Sequence, residues 1–211
     1  GQLQEASWPE ALAAAAAGLK DARAGVLVGG RATVEDAYGY SKFARVTLGT
    51  NNIDFRSRSH SDEELDFLST VSTNATYKDI DNADHVVLIN FEPEDESPIV
   101  FLRIYKQVHK RAIKLTSIAS LASRGSEKLN ANLIKTAPGN EVVAINSIAG
   151  LTGKSVVLVG ERASETQGAL SAVAKLVKES GAKLGWVPRR AGERGAIAAG
   201  AIPNSLPGNR L

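Results

Sequence analysis

The sequence predicts an α/β protein with three layers and a mostly parallel β-sheet. Short apolar runs alternate along the chain with amphipathic segments of helical length, which favours βαβ units. Most of the apolar runs lack the apolar–polar alternation of a half-exposed strand, which indicates strands that are covered on both faces. Crossovers between such strands are right-handed and leave the strands parallel. The expected fold is therefore a parallel sheet between two layers of helices.

The chain begins with a predicted helix followed by a short strand. Residues 7–20 (SWPEALAAAAAGLK) have helical composition, and Ser7 with Glu10 three residues later forms a capping-box pattern. Residues 26–30 (VLVGG) form an apolar run that ends in two glycines, which is typical of a buried parallel strand.

A second helix is predicted over residues 33–47 (TVEDAYGYSKFARVT). Thr33 is a suitable N-cap because its hydroxyl can accept a hydrogen bond from the first turn. The helical period places Tyr40, Phe43 and Ala44 on the inward face.

The remaining elements follow the same alternation. Further strands are predicted at residues 86–91, 112–118, 130–136, 155–160 and 183–187. Further helices are predicted at residues 62–69, 98–111, 140–150 and 164–180. Ser164 is the expected cap of the last helix, and residues 92–98 (EPEDESP) are expected to be an acidic loop.

The predicted organisation has three parts. Residues 1–150 are expected to form a first α/β lobe, and residues 151–190 a second βαβ lobe. Residues 191–211 are rich in Gly, Ala and Pro and have no clear period, so we expect an extended tail.

The composition is that of a globular protein and argues against several classes of function. The chain has 211 residues, of which 43% are hydrophobic and 23% charged, and a formal net charge of +2. This charge is too small to indicate a nucleic-acid partner, which usually needs a concentrated basic face. No run of about 18 apolar residues is present, so we expect no direct membrane insertion.

The absence of Cys and Met carries further expectations. With no Cys, the chain itself forms no disulfide and supplies no thiolate to a zinc ion or an iron–sulfur cluster. With no Met and with Gly1 at its start, the sequence is expected to be an excised internal piece of a longer protein.

Two glycine-containing segments leave a choice between ligand binding and local structure. Residues 150–155 (GLTGKS) resemble part of a phosphate loop, but the apolar strand follows Lys154 instead of preceding it, which favours a simple turn over a nucleotide-binding module. The pair Gly29 and Gly30 follows the first strand and precedes a helix. Such a pair can let a phosphate approach the helix or can serve only close packing.

The histidines show no pattern typical of metal binding or catalysis. His60, His85 and His109 are far apart in sequence and have neither H-x₃-H nor H-E-x-x-H spacing. We therefore predict no metal site and no catalytic residue in this chain.

Three segments resemble the molybdopterin oxidoreductase family. Residues 25–58 contain the family's order of apolar strand, Gly-Gly turn, Glu, Tyr and Lys-x-x-Arg, followed by GTNNID at residues 49–54. Residues 84–104 resemble its strand–loop–Pro segment, and residues 134–146 resemble its strand, Pro-Gly and helix. The resemblance implies Rossmann-like lobes of the formate dehydrogenase and DMSO reductase type.

One interpretation of this resemblance is a domain that binds molybdopterin guanine dinucleotide in a molybdenum oxidoreductase. The family's catalytic members hold this cofactor with its metal. On this interpretation the cofactor-binding residues would be Gly29, Gly30, Arg31, Asn51 and Asn52.

Departures from the family pattern favour a second interpretation, in which the fold has lost the cofactor. Catalytic members usually have Asp-Pro-Arg after an apolar strand where this chain has LTSIA at residues 115–119. The Cys or selenocysteine that binds the metal is also missing. In addition, residues 92–96 place four carboxylates after a predicted strand, where they would repel phosphates.

Details at residue 31, at residues 36–38 and 95–98, and between residues 194 and 208 resemble one branch of the family. That branch forms the large iron–sulfur subunit of bacterial respiratory complexes. It implies a non-catalytic scaffold that supports electron transfer from NADH to quinone, within an enzyme complex on the cytoplasmic side of the plasma membrane. The implied partners are the other subunits of the peripheral arm and the cluster-bearing N-terminal region of the same subunit. The 2Fe–2S and 4Fe–4S clusters would belong to that region, and this chain would hold no cofactor.

Overall fold

The computed structural model describes residues 1–58, 60–71 and 73–208, which fall into two compact units. The first unit combines Gly1–Ser57 with Gly192–Leu211, and the second unit is Arg58–Ala191.

The first unit combines helices, a π-helical turn and a small parallel sheet. Its elements are α1 (Trp8–Leu19), β1 (Val26–Leu27), α2 (Val34–Lys42), the π-helix Phe43–Thr47, β2 (Ile53–Asp54) and α10 (Glu193–Ala198). β1 and β2 pair in parallel, with Val26 opposite Ile53. The predicted caps of both early helices are confirmed, since Glu10 accepts from the Ser7 N–H at 2.8 Å and Thr33 accepts from the Asp36 N–H at 3.1 Å.

The inward face of this helical segment differs in part from the predicted one, since Ala44 is buried as expected but Tyr40 and Phe43 are not. Tyr40 is 50% exposed and Phe43 is 38% exposed, whereas Ala37, Ser41 and Ala44 are buried. Both sets have helical spacing, so periodicity alone does not separate them. The small side chains face inward because a neighbouring backbone comes close to this helix: the Ser41 hydroxyl donates to the Gly200 carbonyl at 3.2 Å.

The segment after residue 191 is not the extended tail that was predicted. It contains the short helix α10 and belongs to the first unit. Ile197 and Ile202 are 7% and 0% exposed. Burial of these apolar side chains anchors the segment in a core. The high Gly and Ala content of the segment gave no sign of this burial in the sequence. Its last three positions, residues 209–211, lie outside the described residues.

The second unit is built on a five-stranded parallel sheet. Its strands are β3 (His85–Ile89), β4 (Lys114–Ala119), β5 (Asn132–Lys135), β6 (Val156–Gly160) and β7 (Lys183–Val187), in the order β5-β4-β3-β6-β7. Its helices are α3 (Glu64–Thr70), α4 (Tyr77–Asn82), α5 (Pro93–Glu96), α6 (Pro98–Arg111), α7 (Arg124–Lys128), α8 (Glu141–Asn146) and α9 (Ala169–Ser180). All four pairings in this sheet are parallel.

The position of β6 corrects the predicted division at residue 150. β6 lies directly beside β3, with Val86 opposite Val156 and Ile89 opposite Val159. Residues on both sides of the predicted boundary therefore share one sheet. The alternation of strands and helices along the sequence does not show which strands are neighbours in the sheet. It therefore could not locate the boundaries between the two units.

The core confirms the three-layer α/β class. β3 and β6 are buried at every position. Side chains from one face of these strands pack against α4 and α6 in a cluster that includes Val86, Leu88, Val156, Leu158 and Ile104. The alternate residues Val87, Ile89, Val157 and Val159 point to the other face and are also buried. Both faces of the central strands are thus covered.

Two local predictions in the second unit need correction. Residues 161–165 form a 3₁₀ turn and the helix α9 begins only at Ala169, so Ser164 caps no helix. Its hydroxyl donates to the Glu161 carbonyl at 2.7 Å. The acidic stretch after β3 includes the short helix α5, in which Pro93 occupies the first turn. Among the described residues, none of the helices is long and apolar enough to cross a membrane.

Candidate functional site

The order in which the chain adds strands to the sheet reverses between β3 and β6, although all the strands are parallel. β4 and β5 extend the sheet on one side of β3, and β7 extends it beyond β6. In open α/β sheets, ligands bind at the carboxyl ends of the two strands where the order reverses in this way. The candidate site is therefore the edge just after Ile89 and Gly160, which we call the β3/β6 edge.

The two strand ends are in close contact at the β3/β6 edge. A Cβ atom at Gly160 would overlap the Asn90 carbonyl oxygen, so only glycine permits this approach. Asn90 has a positive φ of 47°, which asparagine tolerates better than most residues. The Arg162 guanidinium donates to the same Asn90 carbonyl at 3.1 Å. The crevice that this topology usually opens is thus narrowed by the chain's own backbone.

A buried ion-pair network follows β6. The Glu161 carboxylate accepts from Arg58 Nε at 3.0 Å and from Arg189 Nε at 2.9 Å. Arg58 also pairs with Glu64. The Glu64 and Glu161 side chains are only 1% and 2% exposed, so both charges depend on these partners.

The two carboxylates of this network stabilise the charged form of Arg58. Burial on its own would lower the pKa of Arg58, but the hydrogen bonds and negative charges of Glu64 and Glu161 raise that pKa above its ordinary value. We call Arg58, Glu64, Glu161 and Arg189 the buried network after its two buried carboxylates, although the Arg189 side chain is 50% exposed. Its two positive and two negative groups balance, which leaves no surplus positive charge for an anionic ligand.

Further carboxylates at the β3/β6 edge are also engaged by the chain itself. Glu96 accepts from Arg162 at 2.5 Å, and Glu94 pairs with Lys128. Glu92 accepts from the Ser123 hydroxyl and from the Glu94 N–H, which places it at the start of α5.

The Glu141 carboxylate accepts hydrogen bonds from three uncharged groups. It accepts from the Gly139 N–H and the Thr166 hydroxyl, both at 2.8 Å, and from the Asn90 side-chain amide at 3.3 Å. Burial alone would raise the pKa of Glu141, but the hydrogen bonds from Thr166, Asn90 and Gly139 together lower it. Glu141 is therefore held as a carboxylate that ties α8 to β3.

The glycine turn predicted as a cofactor contact lies in the first unit, after β1. Gly29 has a φ of 81°, and the Gly30 carbonyl accepts from the Gly192 N–H at 2.9 Å. A Cβ atom at Gly192 would overlap the Ala32 carbonyl oxygen. Gly30 is thus packed against a segment of the same unit, whereas Arg31 beside it is exposed.

The predicted asparagines lie at the opposite end of the same small sheet. Asn51 and Asn52 precede β2, whereas Gly29 and Gly30 follow β1, and the two strands are parallel. The Asn51 side chain accepts from Arg45 Nη2 at 3.2 Å and donates to Asn204 Oδ1 at 2.7 Å. The Asn52 carbonyl accepts from the Val26 N–H at 2.8 Å. The structure thus separates the five predicted residues into two groups.

Arg45 is the centre of the group that contains Asn51. Its guanidinium donates to the carbonyls of Gly200, Ile202 and Ser205 at 2.8, 3.0 and 2.9 Å. These bonds hold the C-terminal segment in the first unit. Burial lowers the pKa of Arg45 from its ordinary value.

The segment with the partial phosphate-loop pattern forms a turn before β6. The Ser155 N–H donates to the Thr152 carbonyl at 2.9 Å, and the Ser155 hydroxyl donates to Asp84 Oδ1 at 3.0 Å. This is the simple turn that the sequence favoured. No group of three or more His, Cys, Asp or Glu residues that could hold a metal ion occurs in the part of the chain that the structure describes.

The buried network was missed at the sequence level. Arg58 and Glu161 are 103 positions apart, so no local spacing connects them. The only sequence signal is that Glu161 and Arg162 directly follow a buried apolar strand, where a charged pair requires a partner.

These features define the chain as an open, parallel α/β protein whose sheet has a topological switch point. A family model for molybdopterin oxidoreductase matches residues 1–155. Because this match covers most of the chain and agrees with the parallel fold, the chain belongs to the molybdopterin oxidoreductase family.

Its curated relatives are considerably longer proteins. The G subunit of NADH-quinone oxidoreductase from Mycobacterium bovis is 51% identical over 100% of this chain and 28% of its own length. The protein of the same name from Streptomyces coelicolor is 44% identical over 100% of this chain and 29% of its own length. F420-dependent formate dehydrogenase 1 subunit alpha of Methanococcus maripaludis is 33% identical over 52% of this chain and 17% of its own length. The chain thus spans less than a third of each of these relatives.

The family implies a molybdopterin cofactor, and the charged residues at the β3/β6 edge do not fit one. A pterin guanine dinucleotide is anionic and needs converging N–H groups and cations. At the β3/β6 edge, Arg58, Arg162 and Arg189 each contact a carboxylate of the chain. At the glycine turn after β1, the Gly30 carbonyl accepts from the Gly192 N–H, and the two groups of predicted contacts lie at opposite ends of a small sheet.

Proposed function

We propose that this chain is a non-catalytic structural domain of the large iron–sulfur subunit of an NADH-quinone oxidoreductase. In this role it carries no electron itself. It provides a folded surface for the cluster-bearing region of the same subunit and for neighbouring subunits. The complex would lie on the cytoplasmic side of the plasma membrane, and the clusters that carry electrons from NADH to quinone would belong to other regions.

The observation that carries this proposal is the buried network at the β3/β6 edge. In family members that catalyse reactions, an edge of this kind would have to accept an anionic cofactor. Here Glu64 and Glu161 occupy the edge as buried carboxylates, and Arg58 and Arg189 neutralise them. Replacing these contacts with a phosphate would leave buried carboxylates unpaired, which is strongly unfavourable.

The relatives from NADH-quinone oxidoreductase support the assignment to a respiratory complex. Their identities of 51% and 44% extend over the whole chain, whereas the match to the formate dehydrogenase subunit covers about half of it. A domain of this family that keeps the fold and loses the cofactor is consistent with a role in assembly.

The experiment that tests the proposal separates assembly from turnover. Arg58→Met in the full-length subunit removes the shared partner of Glu64 and Glu161. We expect the amount of assembled complex to fall severalfold, because breaking a buried pair costs about 3–5 kcal/mol. We expect NADH-quinone turnover per assembled complex to stay unchanged. Arg124→Met on the exposed part of α7 is the matched control and should alter neither quantity.

A loss of turnover in the complexes that still assemble would contradict the scaffold role. Complex content is measured by iron and flavin analysis and turnover by NADH oxidation with a quinone acceptor, so the two readouts are independent.

The alternative is a molybdopterin guanine dinucleotide-binding domain, which the family match over residues 1–155 favours. Calorimetric titration of the chain with GDP tests it directly. The scaffold proposal predicts no binding heat at millimolar GDP, whereas a dissociation constant in the micromolar range would support the alternative.

A further inference from the structure

An exposed apolar stripe runs along helix α6 in the second unit. Ile99, Leu102 and Tyr105 are 56%, 57% and 40% exposed. Their spacing of three residues places them on one face of the helix. The opposite face carries Val100, Phe101, Ile104 and Val108 and is buried in the core. The stripe is thus a second apolar face on a helix whose first face is already packed.

The charge on α6 has one sign. The helix contains Arg103, Lys106, Lys110 and Arg111 and has no Asp or Glu. His109, Lys110 and Arg111 occupy the last turn, where positive charge favours the helix dipole. Lys106 lies before that turn, so the dipole does not account for it. We call Ile99, Leu102, Tyr105, Lys106 and Lys110 the α6 surface.

The rim of the α6 surface is held by contacts with α4. Arg103 donates to Asp81 at 2.5 Å, and its guanidinium lies 4.5 Å from the centre of the Tyr77 ring. A shallow cavity of about 320 Å³ is lined by Asp81, Ile99, Leu102, Arg103 and Lys106. The cavity therefore combines the aliphatic side chains of Ile99 and Leu102 with the charged side chains of Asp81, Arg103 and Lys106.

We infer that the α6 surface binds an amphipathic helix of another polypeptide segment in the complex, one with an aliphatic seam flanked by Asp or Glu. In the cavity between α4 and α6, Ile99 and Leu102 offer contacts to aliphatic side chains, and the Asp81 carboxylate is paired with Arg103. Lys106 and Lys110 supply the positive charge for carboxylates of the partner. Helix-in-groove recognition uses this arrangement of anchors and flanking charges. The inference rests on the proposed function, because the partner segment belongs to the respiratory complex.

Charge and shape favour a protein partner over an anionic lipid surface. An interfacial membrane helix needs one continuous apolar face to enter the bilayer. On α6 the larger apolar face is committed to the core, and the exposed stripe borders the Asp81 carboxylate. Flanking lysines also suit a partner whose encounter is steered by charge.

Carbodiimide cross-linking of the purified complex tests the inference, because it joins lysine amines only to carboxylates in direct contact. We expect Lys106 and Lys110 to be joined to Asp or Glu residues outside the 211-residue chain. Their acetylation rates should be lower in the complex than in the chain alone by roughly tenfold, since interface residues are shielded from solvent. Lys106→Arg with Lys110→Arg keeps the charge and should abolish the cross-links without loss of complex.

Substitutions on the same surface give a second readout. Leu102→Asp, and Lys106→Glu with Lys110→Glu, should each lower the amount of subunit retained in the complex at moderate salt by roughly tenfold, as for a central interface residue. Val143→Asp on α8, at a position that is 72% exposed, is the matched control and should have no effect.

The outcomes separate the inference from the proposed function. Absence of the chain from the purified complex would overturn the proposed function. Presence of the chain with freely acetylated Lys106 and Lys110 would overturn only the inference. Protection that depends on lipid and disappears in detergent would also overturn it, because the occupant would then be a membrane.

Discussion

At the scale of single residues, the buried charged side chains matter most for the proposed scaffold role. Glu161 is 2% exposed and holds two arginines that come from distant parts of the second unit. A buried ion pair of this kind is weak evidence for net stabilisation, but removing one partner leaves an uncompensated charge. The network therefore constrains the β3/β6 edge whether or not it increases the total stability.

Glu161→Gln should lower the free energy of unfolding by about 3 kcal/mol, because Arg58 and Arg189 lose their shared negative charge. The measurement is urea unfolding followed by circular dichroism. Glu179→Gln is the control: its pair with Lys175 spans 4.0 Å, and both side chains are more than 65% exposed. It should change stability by less than about 0.5 kcal/mol. Equal effects of the two substitutions would show that the buried network is dispensable.

His85 makes stability depend on pH near neutrality. Burial lowers its pKa, the charge of Lys114 lowers it further, and Asp84 opposes both. Because the folded state lowers this pKa, protonation favours the unfolded state. The contribution is complete above the ordinary value of 6.5 and is lost as the pH falls below it.

We therefore expect the urea midpoint of the chain to fall between about pH 7.5 and pH 5.5. His85→Gln keeps a hydrogen-bonding group toward Thr116, whose hydroxyl lies 2.9 Å from His85 Nε2, and should flatten this fall. Carboxylates with lowered pKa values, such as Glu141, lose their contribution only at lower pH. An unchanged pH dependence in the variant would exclude His85 as its source.

At the scale of the elements, the end of β6 has no room for a side chain at Gly160. Gly160→Ala would drive a Cβ atom into the Asn90 backbone, and backbone cannot move as a side chain does. We expect a loss of about 1–3 kcal/mol in the free energy of unfolding, as for other overpacked sites. Gly153→Ala is the control in the same unit, because its Cβ would be 3.7 Å from the nearest atom, the Gly181 carbonyl oxygen. A Gly160→Ala variant as stable as this control would contradict the close approach of β3 and β6.

One side chain of the first unit, Arg45, binds three backbone carbonyls of the C-terminal segment. Arg45→Lys keeps the charge but cannot reach the Gly200, Ile202 and Ser205 carbonyls together. We expect faster hydrogen exchange over residues 200–206 and a loss of about 1.5–3 kcal/mol, as for hydrogen bonds to charged groups. Arg31→Lys on the exposed turn after β1 is the control. Unchanged exchange in Arg45→Lys would mean that the segment is held by apolar contacts instead.

Sequence reasoning located most elements because their signals are local. Residues 98–111 were predicted as a helix and are α6 without change of bounds, since Pro98 marks its start and the apolar period is clear. Caps at Ser7 and Thr33 were identified for the same reason. Ser164 failed as a cap because it serves a tight 3₁₀ turn beside Glu161, a tertiary arrangement that no local pattern records.

The candidate site was less accessible to prediction than the fold. Gly29, Gly30, Arg31, Asn51 and Asn52 were grouped through resemblance, and strand pairing in the small sheet places them at two ends. The buried network joins residues 58, 64, 161 and 189, whose proximity follows only from strand order.

At the scale of the whole molecule, we propose that a domain of the molybdopterin oxidoreductase family has become a structural part of a larger assembly. Its two units divide the chain at residues 57/58 and 191/192, so the first unit is built from both ends of the sequence. On the proposed function, this chain provides surface, as on α6, and the chemistry takes place on centres held elsewhere.

The most direct test is the molybdenum and pterin content of the purified respiratory complex that contains this chain. Metal analysis and fluorescence of the extracted pterin measure both without relying on activity. We predict no molybdenum and no pterin above the background of the preparation. Molybdenum and pterin in near-stoichiometric ratio to the chain would contradict the claim that its own side chains have replaced the cofactor.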